Sequence, residues 1–151
     1  MTEGLRKDPS LACLAEYRHH LSVSRLQHVT SVAYLSFLIC KKKGLRAEEA
    51  CRGALLHDLF YYDRDHRGGP SFLYFRHPAI ALENASRLIS LDEVSEDVIL
   101  HHMFPLTRHR PRTKEGRIVS RMDKYCAVHE FLHLLFPRFY RKSFQRKEIQ
   151  P

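Results

Sequence analysis

Residues 47–60 read Ala-Glu-Glu-Ala-Cys-Arg-Gly-Ala-Leu-Leu-His-Asp-Leu-Phe. Glu48 and Glu49 sit in what is predicted to be the first turn of a helix, where acidic groups face the positive end of the helix dipole. The apolar run Ala54-Leu55-Leu56 then delivers His57 and Asp58 to the far end of that helix, predicted near Phe60. A carboxylate carried into a buried helix end is costly without a cation beside it. Taken alone, the pair reads more readily as a hydrogen-bonded core histidine with a neighbour.

Upstream, His28, Val32, Leu35 and Ile39 recur at steps of four, three and four, a helical stripe running from about Val23. Lys41, Lys42 and Lys43 suit the negative end of that helix, and Gly44 suits the position just past it. A shorter helix is predicted over 11–20. Downstream, 63–70 (DRDHRGGP) is a loop by composition. Pro78 is placed as the first residue of a helix reaching about Ser90, and Ser95 as the start of another ending near Met103, before Pro105. Residues 105–114 form a basic loop, and a last long helix spans about Glu115 to Leu135. No strand is predicted. The fold class is all-α, a compact bundle of five to seven helices in one domain, 1–151, with its core over about 22–135 and a basic segment at 136–151.

Composition agrees. Apolar residues make up 44% and charged residues 28%, which excludes a disordered chain, and only 6 glycines and no tryptophan argue against a turn-rich β-sandwich. Histidine is abundant, at 11 of 151 residues. The net charge of +8 favours anionic partners, whether nucleic acid, nucleotide, phosphate ester or membrane surface, or is simply a solvated basic surface. The four cysteines (13, 40, 51 and 126) form no C-x-x-C pair and read as reduced thiols. The longest apolar run, Val32 to Cys40, is half a membrane span and the first residues hold no apolar signal core, so a cytoplasmic protein is expected, without membrane partners. Oligomeric state is unreadable.

Two further polar residues fall on inward faces. His28 lies in register with Val32 and Leu35, and Asp123 with Val119 and Cys126. A core that gathers His28, His57, Asp58 and Asp123 offers imidazole nitrogens and carboxylates, a donor set for a divalent metal such as Mn, Fe, Co, Ni or Zn, with Mg also admissible.

This H…HD…D series, with the Arg25-x-x-His28 opening, resembles the HD superfamily of metal-dependent phosphohydrolases over about Arg25 to Glu130. His77 and His102 match the two further histidines of its binuclear branch. The stretches HPAIALENA, HMFPL and DKYCA resemble a small bacterial group within the superfamily. The resemblance implies two divalent ions. His28, His57, Asp58 and Asp123 would hold the first, and Asp58, the central catalytic residue, would bridge to a second held by His77 and His102. It implies hydrolysis of a phosphate ester, possibly of a nucleotide, by an activated water.

His101 competes with His102 for the second site, about 100° away around the helix. Arg25, Lys124, Arg108 and Arg110 are candidate contacts to substrate phosphate. Arg112, Lys114 and Arg117 extend a basic rim, and Asp63 or Asp65 is a candidate general acid. His66 and His109 read as loop residues, and the basic and aromatic residues of the tail read as a solvated end. Two other readings stay open. Some HD-fold proteins resembling this ligand set are diiron oxygenases, and a non-catalytic HD domain would bind nucleotide or RNA through its basic surface.

Overall fold

The computed structural model describes residues 4–5, 8–20, 23–62 and 72–135. Six α-helices carry the fold among the described residues: α1 (Pro9–Ala12), α2 (Arg25–Lys42), α3 (Ala47–Leu56), α4 (Phe72–Leu88), α5 (Glu93–His101) and α6 (Lys114–Leu135). A 3-10 turn (Cys13–Ala15) and two very short antiparallel strands, β1 (Arg18–His20) and β2 (Val23–Ser24), stand between α1 and α2. The all-α expectation holds. The helix expected over 11–20 does not: α1 starts early on an Asp8 cap with Pro9 at its first position, and the chain leaves helix after Ala15. Beyond it, the Tyr17 carbonyl accepts the Arg25 N–H at 2.8 Å, and the backbone pairs as a hairpin.

Helix α2 begins with a reciprocal cap. Ser24 Oγ accepts the Gln27 N–H while Gln27 Oε1 accepts the Ser24 N–H. It ends as predicted at Gly44, whose φ of 65° is the left-handed conformation that glycine adopts freely. Helix α2 packs on α3 and α6, α3 also packs on α5, and α5 packs on α4 and α6. Val29, Val32, Leu55, Leu56, Val98, Ile99 and Val119 are buried between them. A Cβ on Gly53 would come within 2.8 Å of Val98 Cβ, so the absence of a side chain sets the α3–α5 approach.

Three helix limits differ from expectation. Helix α3 ends at Leu56, not near Phe60, because the carbonyls that follow find side-chain donors in place of a helical ladder. Asn84 Nδ2 donates to Leu59 O at 2.9 Å, and Arg25 donates to Phe60 O and Tyr62 O. Helix α4 begins before Pro78 and carries it in its interior. There the ring forfeits the N–H bond to the carbonyl four residues back and crowds that carbonyl, and the added turns place His77 on the helix. In α5 the cap is Asp92, whose Oδ1 accepts the Ser95 N–H at 2.9 Å. Ser95 itself is buried, donating to Glu49 O on α3.

The start of α6 is built around Asp97. Its two oxygens accept Arg112 N–H, Thr113 N–H, Thr113 O–H and the His101 ring N–H at 2.6–3.0 Å. Thr113 Oγ1 in turn accepts the Gly116 N–H and caps the helix. Asp97 Oδ2 lies so close to Gly116 that an added Cβ would stand 2.5 Å from it. None of the helices, among the described residues, is long and apolar enough to cross a membrane. The four cysteines are free thiols.

Candidate metal centre

Five helices or their ends converge on one buried point. His28 comes from the first turn of α2, His57 and Asp58 from the end of α3, His77 from α4, His102 from the residue after α5, and Asp123 from the middle of α6. All four histidines and Asp58 are essentially sealed from solvent, and the Asp123 side chain is 14% exposed.

Three of the four imidazoles, those of His28, His57 and His102, are held from behind. His57 Nδ1 donates to Ala54 O at 2.7 Å, and His102 Nδ1 donates to Ile99 O at 2.9 Å. With Nδ1 carrying the proton, a neutral ring presents Nε2 as a bare lone pair. Among the described residues the buried His57 Nε2 atom has no hydrogen bond, and the carboxylate oxygens nearest to it are Asp123 Oδ1 at 3.6 Å and Asp58 Oδ2 at 3.9 Å. His28 faces Asp123 Oδ1 through Nε2 at 3.0 Å and Glu130 Oε1 through Nδ1 at 2.9 Å. On the other side, His77 Nε2 and His102 Nε2 are 3.0 Å apart, and they lie 3.4 and 3.7 Å from Asp58 Oδ1.

Electrostatics follow this arrangement. Burial disfavours charge on His28, but its hydrogen bonds to Asp123 and Glu130 outweigh that and lift its pKa to about 9. Burial, reinforced by the neighbouring rings of His57 and His77, drops His102 to about 3 and keeps it neutral. Asp123 is held well below the usual carboxylate range: burial works against its charge, and the hydrogen bond from His28, with the His57 ring beside it, overcomes that.

The donors fit divalent ions. Ligand atoms of His28, His57 and Asp58 all lie within 4.8 Å of one another, and so do those of Asp58, His77 and His102. Atoms around one transition-metal ion at about 2.1 Å are roughly 3–4 Å apart, so either group needs little movement to close on an ion. Asp58 belongs to both groups and turns a different oxygen toward each. The unbonded His57 Nε2 is the atom a cation would satisfy, and Glu130 behind His28 is the outer carboxylate that orients a metal-binding imidazole.

The six residues expected as ligands therefore come together, and of the adjacent histidines it is His102 whose ring lies in the cluster. His101 points away and hydrogen-bonds Asp97. Arg25 corrects an expectation. It is completely buried, lies over the Phe60 ring at 3.8 Å from the centroid, and donates to Phe60 O and Tyr62 O, so it braces the segment after Asp58 and does not reach toward a substrate. Lys124 spends its ammonium on His102 O at 2.7 Å and on Ser120 O and Oγ at 3.0 Å. It also lines a pocket that Arg110 and Arg117 share. Arg108 and Arg112 are exposed, Lys114 starts α6, and His109 is exposed near His101. Asp63, Asp65, His66 and residues 136–151 lie outside the described residues.

Glu130 and Ser120 escaped the sequence reading. Glu130 stands seven positions after Asp123, on the same face of α6, and that spacing was the available signal. Ser120 donates to His102 O at 2.8 Å and fixes the backbone of that ligand; a serine at helical spacing carries no such message by itself.

No curated protein and no solved structure matches the chain. The HD domain model matches residues 25–128, which spans every residue of the cluster from His28 to Asp123. With that match over most of its length and the H…HD…H…H…D residues gathered in one place, the chain belongs to the HD domain family.

Proposed function

We propose that this protein is a metal-dependent phosphohydrolase that cleaves a phosphate ester of a small anionic molecule. The observation that carries the reading is Asp58, a buried carboxylate set between two groups of imidazoles with one oxygen toward each. Most HD domains are metal-dependent hydrolases, which agrees with it. Divalent ions held by His28, His57, Asp58 and Asp123 and by Asp58, His77 and His102 would supply an acidified water and positive charge for the phosphoryl oxygens.

The protein's own groups set the conditions for that chemistry. The Ala54 and Ile99 carbonyls lock the tautomers of His57 and His102, so that both present lone pairs inward. Asp58 and Asp123 place two negative charges among the rings, which favours cations over a neutral ligand. Burial of the cluster lowers the local dielectric and strengthens each of these interactions. Arg25 and Asn84 hold the carbonyls of residues 59, 60 and 62, and Ser120 and Lys124 hold that of His102, so the backbone beside Asp58 and that of His102 are each anchored to neighbouring helices.

The test is release of phosphate from a panel of monoesters, diesters and nucleotides by protein purified without chelator and supplied with Mn, Fe, Co, Ni, Zn or Mg. Hydrolysis that needs the metal and disappears in Asp58→Ala supports the reading. A metal-loaded protein inactive across the panel would sink it.

A further inference from the structure

We infer that the pocket formed by the stripe Arg117, Ser120, Arg121 and Lys124 with Arg110 is a phosphate subsite, and that it holds a second anionic group of the substrate, the one that is not cleaved. The choice of a second substrate group rests on the phosphohydrolase reading; the anion site itself does not. Positions 117, 120, 121 and 124 fall at steps of three, one and three and share one face of α6. The pocket against that face has a volume of about 180 Å³ and is closed by Arg110 and Phe104 on the segment that follows α5. That is smaller than the roughly 300–1,000 Å³ of sites that swallow a whole drug-sized ligand, so it suits one compact group.

The charge pattern points to an anion. Among the described lining residues there are three arginines and a lysine and no carboxylate. Arg117 and Arg121 are four apart on one helix, a like-charge spacing that is unfavourable without a counter-charge. Arg117 is already aimed: its Nε donates to Pro111 O at 3.2 Å and its terminal nitrogen to Arg112 O at 3.1 Å. Neither Arg110 nor Arg121 has a hydrogen bond or ion pair with any described residue, so both forks are available, and the planar fork of arginine matches phosphate oxygens.

Position ties the pocket to the metal centre. Lys124 lines it while its Nζ lies 3.8 Å from Asp123 Oδ2 and 2.7 Å from the carbonyl of His102. Lys124 therefore stands between this cationic wall and the His and Asp cluster, and a molecule with one phosphate at the cluster would meet the wall beyond the Lys124 side chain. The ligand class is a compound with two phosphate-type groups, joined as a diphosphate or carried separately as a bisphosphate.

Two measurements test this. In the first, chelator-stripped, full-length protein is titrated with orthophosphate, followed by calorimetry or by chemical shifts of the arginine side chains. We expect Arg121→Gln and Arg110→Gln each to weaken binding at least tenfold, and Lys42→Gln, a charge removed outside the pocket lining, to leave it unchanged. Equal binding by wild type and both pocket variants overturns the subsite. In the second, metal-loaded enzyme is given a nucleoside monophosphate, the matching diphosphate and a pentose bisphosphate. A preference of at least tenfold in kcat/KM for a two-group substrate, erased by Arg121→Gln, supports the inference, and the preferred substrate tells adjacent from separated groups. A preference that survives Arg121→Gln overturns it. Phosphate binding that depends on Arg121 in a protein without hydrolytic activity would retain the anion site and refute the phosphohydrolase reading.

Discussion

Asp97→Asn isolates the junction that carries α6, and with it Asp123, into the site. In the wild type, Oδ2 accepts Thr113 N–H at 2.9 Å and Thr113 O–H at 2.6 Å, while Oδ1 accepts Arg112 N–H at 3.0 Å and His101 Nδ1–H at 2.8 Å. An amide keeps the shape but offers acceptor capacity on one side only. Turned its better way, its oxygen serves Arg112 and His101, and its NH2 faces Thr113. The Thr113 hydroxyl can rotate and accept; the Thr113 N–H cannot. One donor left without a partner costs about 1–3 kcal/mol, and the remaining bonds lose their charge assistance, so about 2–4 kcal/mol is expected in total. With a urea dependence of about 2 kcal/mol/M, the midpoint of unfolding at pH 7 falls by about 1–2 M.

The pH dependence gives a second reading of the same variant. Burial raises the cost of charge on Asp97, yet the bonds from Thr113, Arg112 and His101 hold its carboxyl below the usual range. A carboxylate depressed in the folded state contributes stability that is present above its unfolded pKa of about 3.9 and is lost as pH falls through its folded pKa. The gap between wild type and Asp97→Asn should therefore be full at pH 7 and narrow below pH 4. A midpoint change under about 0.3 M at pH 7, or a gap that does not narrow in acid, would refute the reasoning.

Three further outcomes follow from particular contacts. Glu130→Gln removes the charge behind His28 and should weaken metal binding about tenfold to a hundredfold in a competition titration against a chromophoric chelator; unchanged affinity would show that Glu130 does not tune the ligand. His102→Gln should lower metal content while His101→Gln leaves it at the wild-type level, and the reverse pattern by elemental analysis would reassign the site. Gly53→Ala should destabilise by about 1–3 kcal/mol, because its Cβ meets Val98 at 2.8 Å in a packed α3–α5 contact, and a thermal midpoint unchanged or raised would contradict that packing.

The helices and the ligand set were legible for different reasons. The stripe His28, Val32, Leu35, Ile39 shows its inward face by periodicity, and Gly44 marks its end, so α2 could be read directly. The limits of α3 and α4 could not, because they depend on long-range partners. Arg25 and Asn84 take the carbonyls after Leu56, and nothing local says so. Arg25 shows how such reading goes astray. Its place one turn before His28 suggested a phosphate contact, but a guanidinium can also stack on Phe60 and seal backbone carbonyls, and here it does. The choice of His102 over His101 turned on which ring meets Asp97, a carboxylate that sequence spacing alone does not distinguish from a surface acid. Arg121 lacked a signal until the fold brought its face against the segment that follows α5.

The most direct test of the central claim is the number of divalent ions bound per chain. Protein stripped by chelator, equilibrated with Mn or Co and freed of excess metal should retain two ions by elemental analysis. His77→Gln should retain one, and Asp58→Asn, which alters the carboxylate common to both groups, fewer than one. A wild-type chain that retains no ion, or one whose content is indifferent to Asp58, would contradict the account.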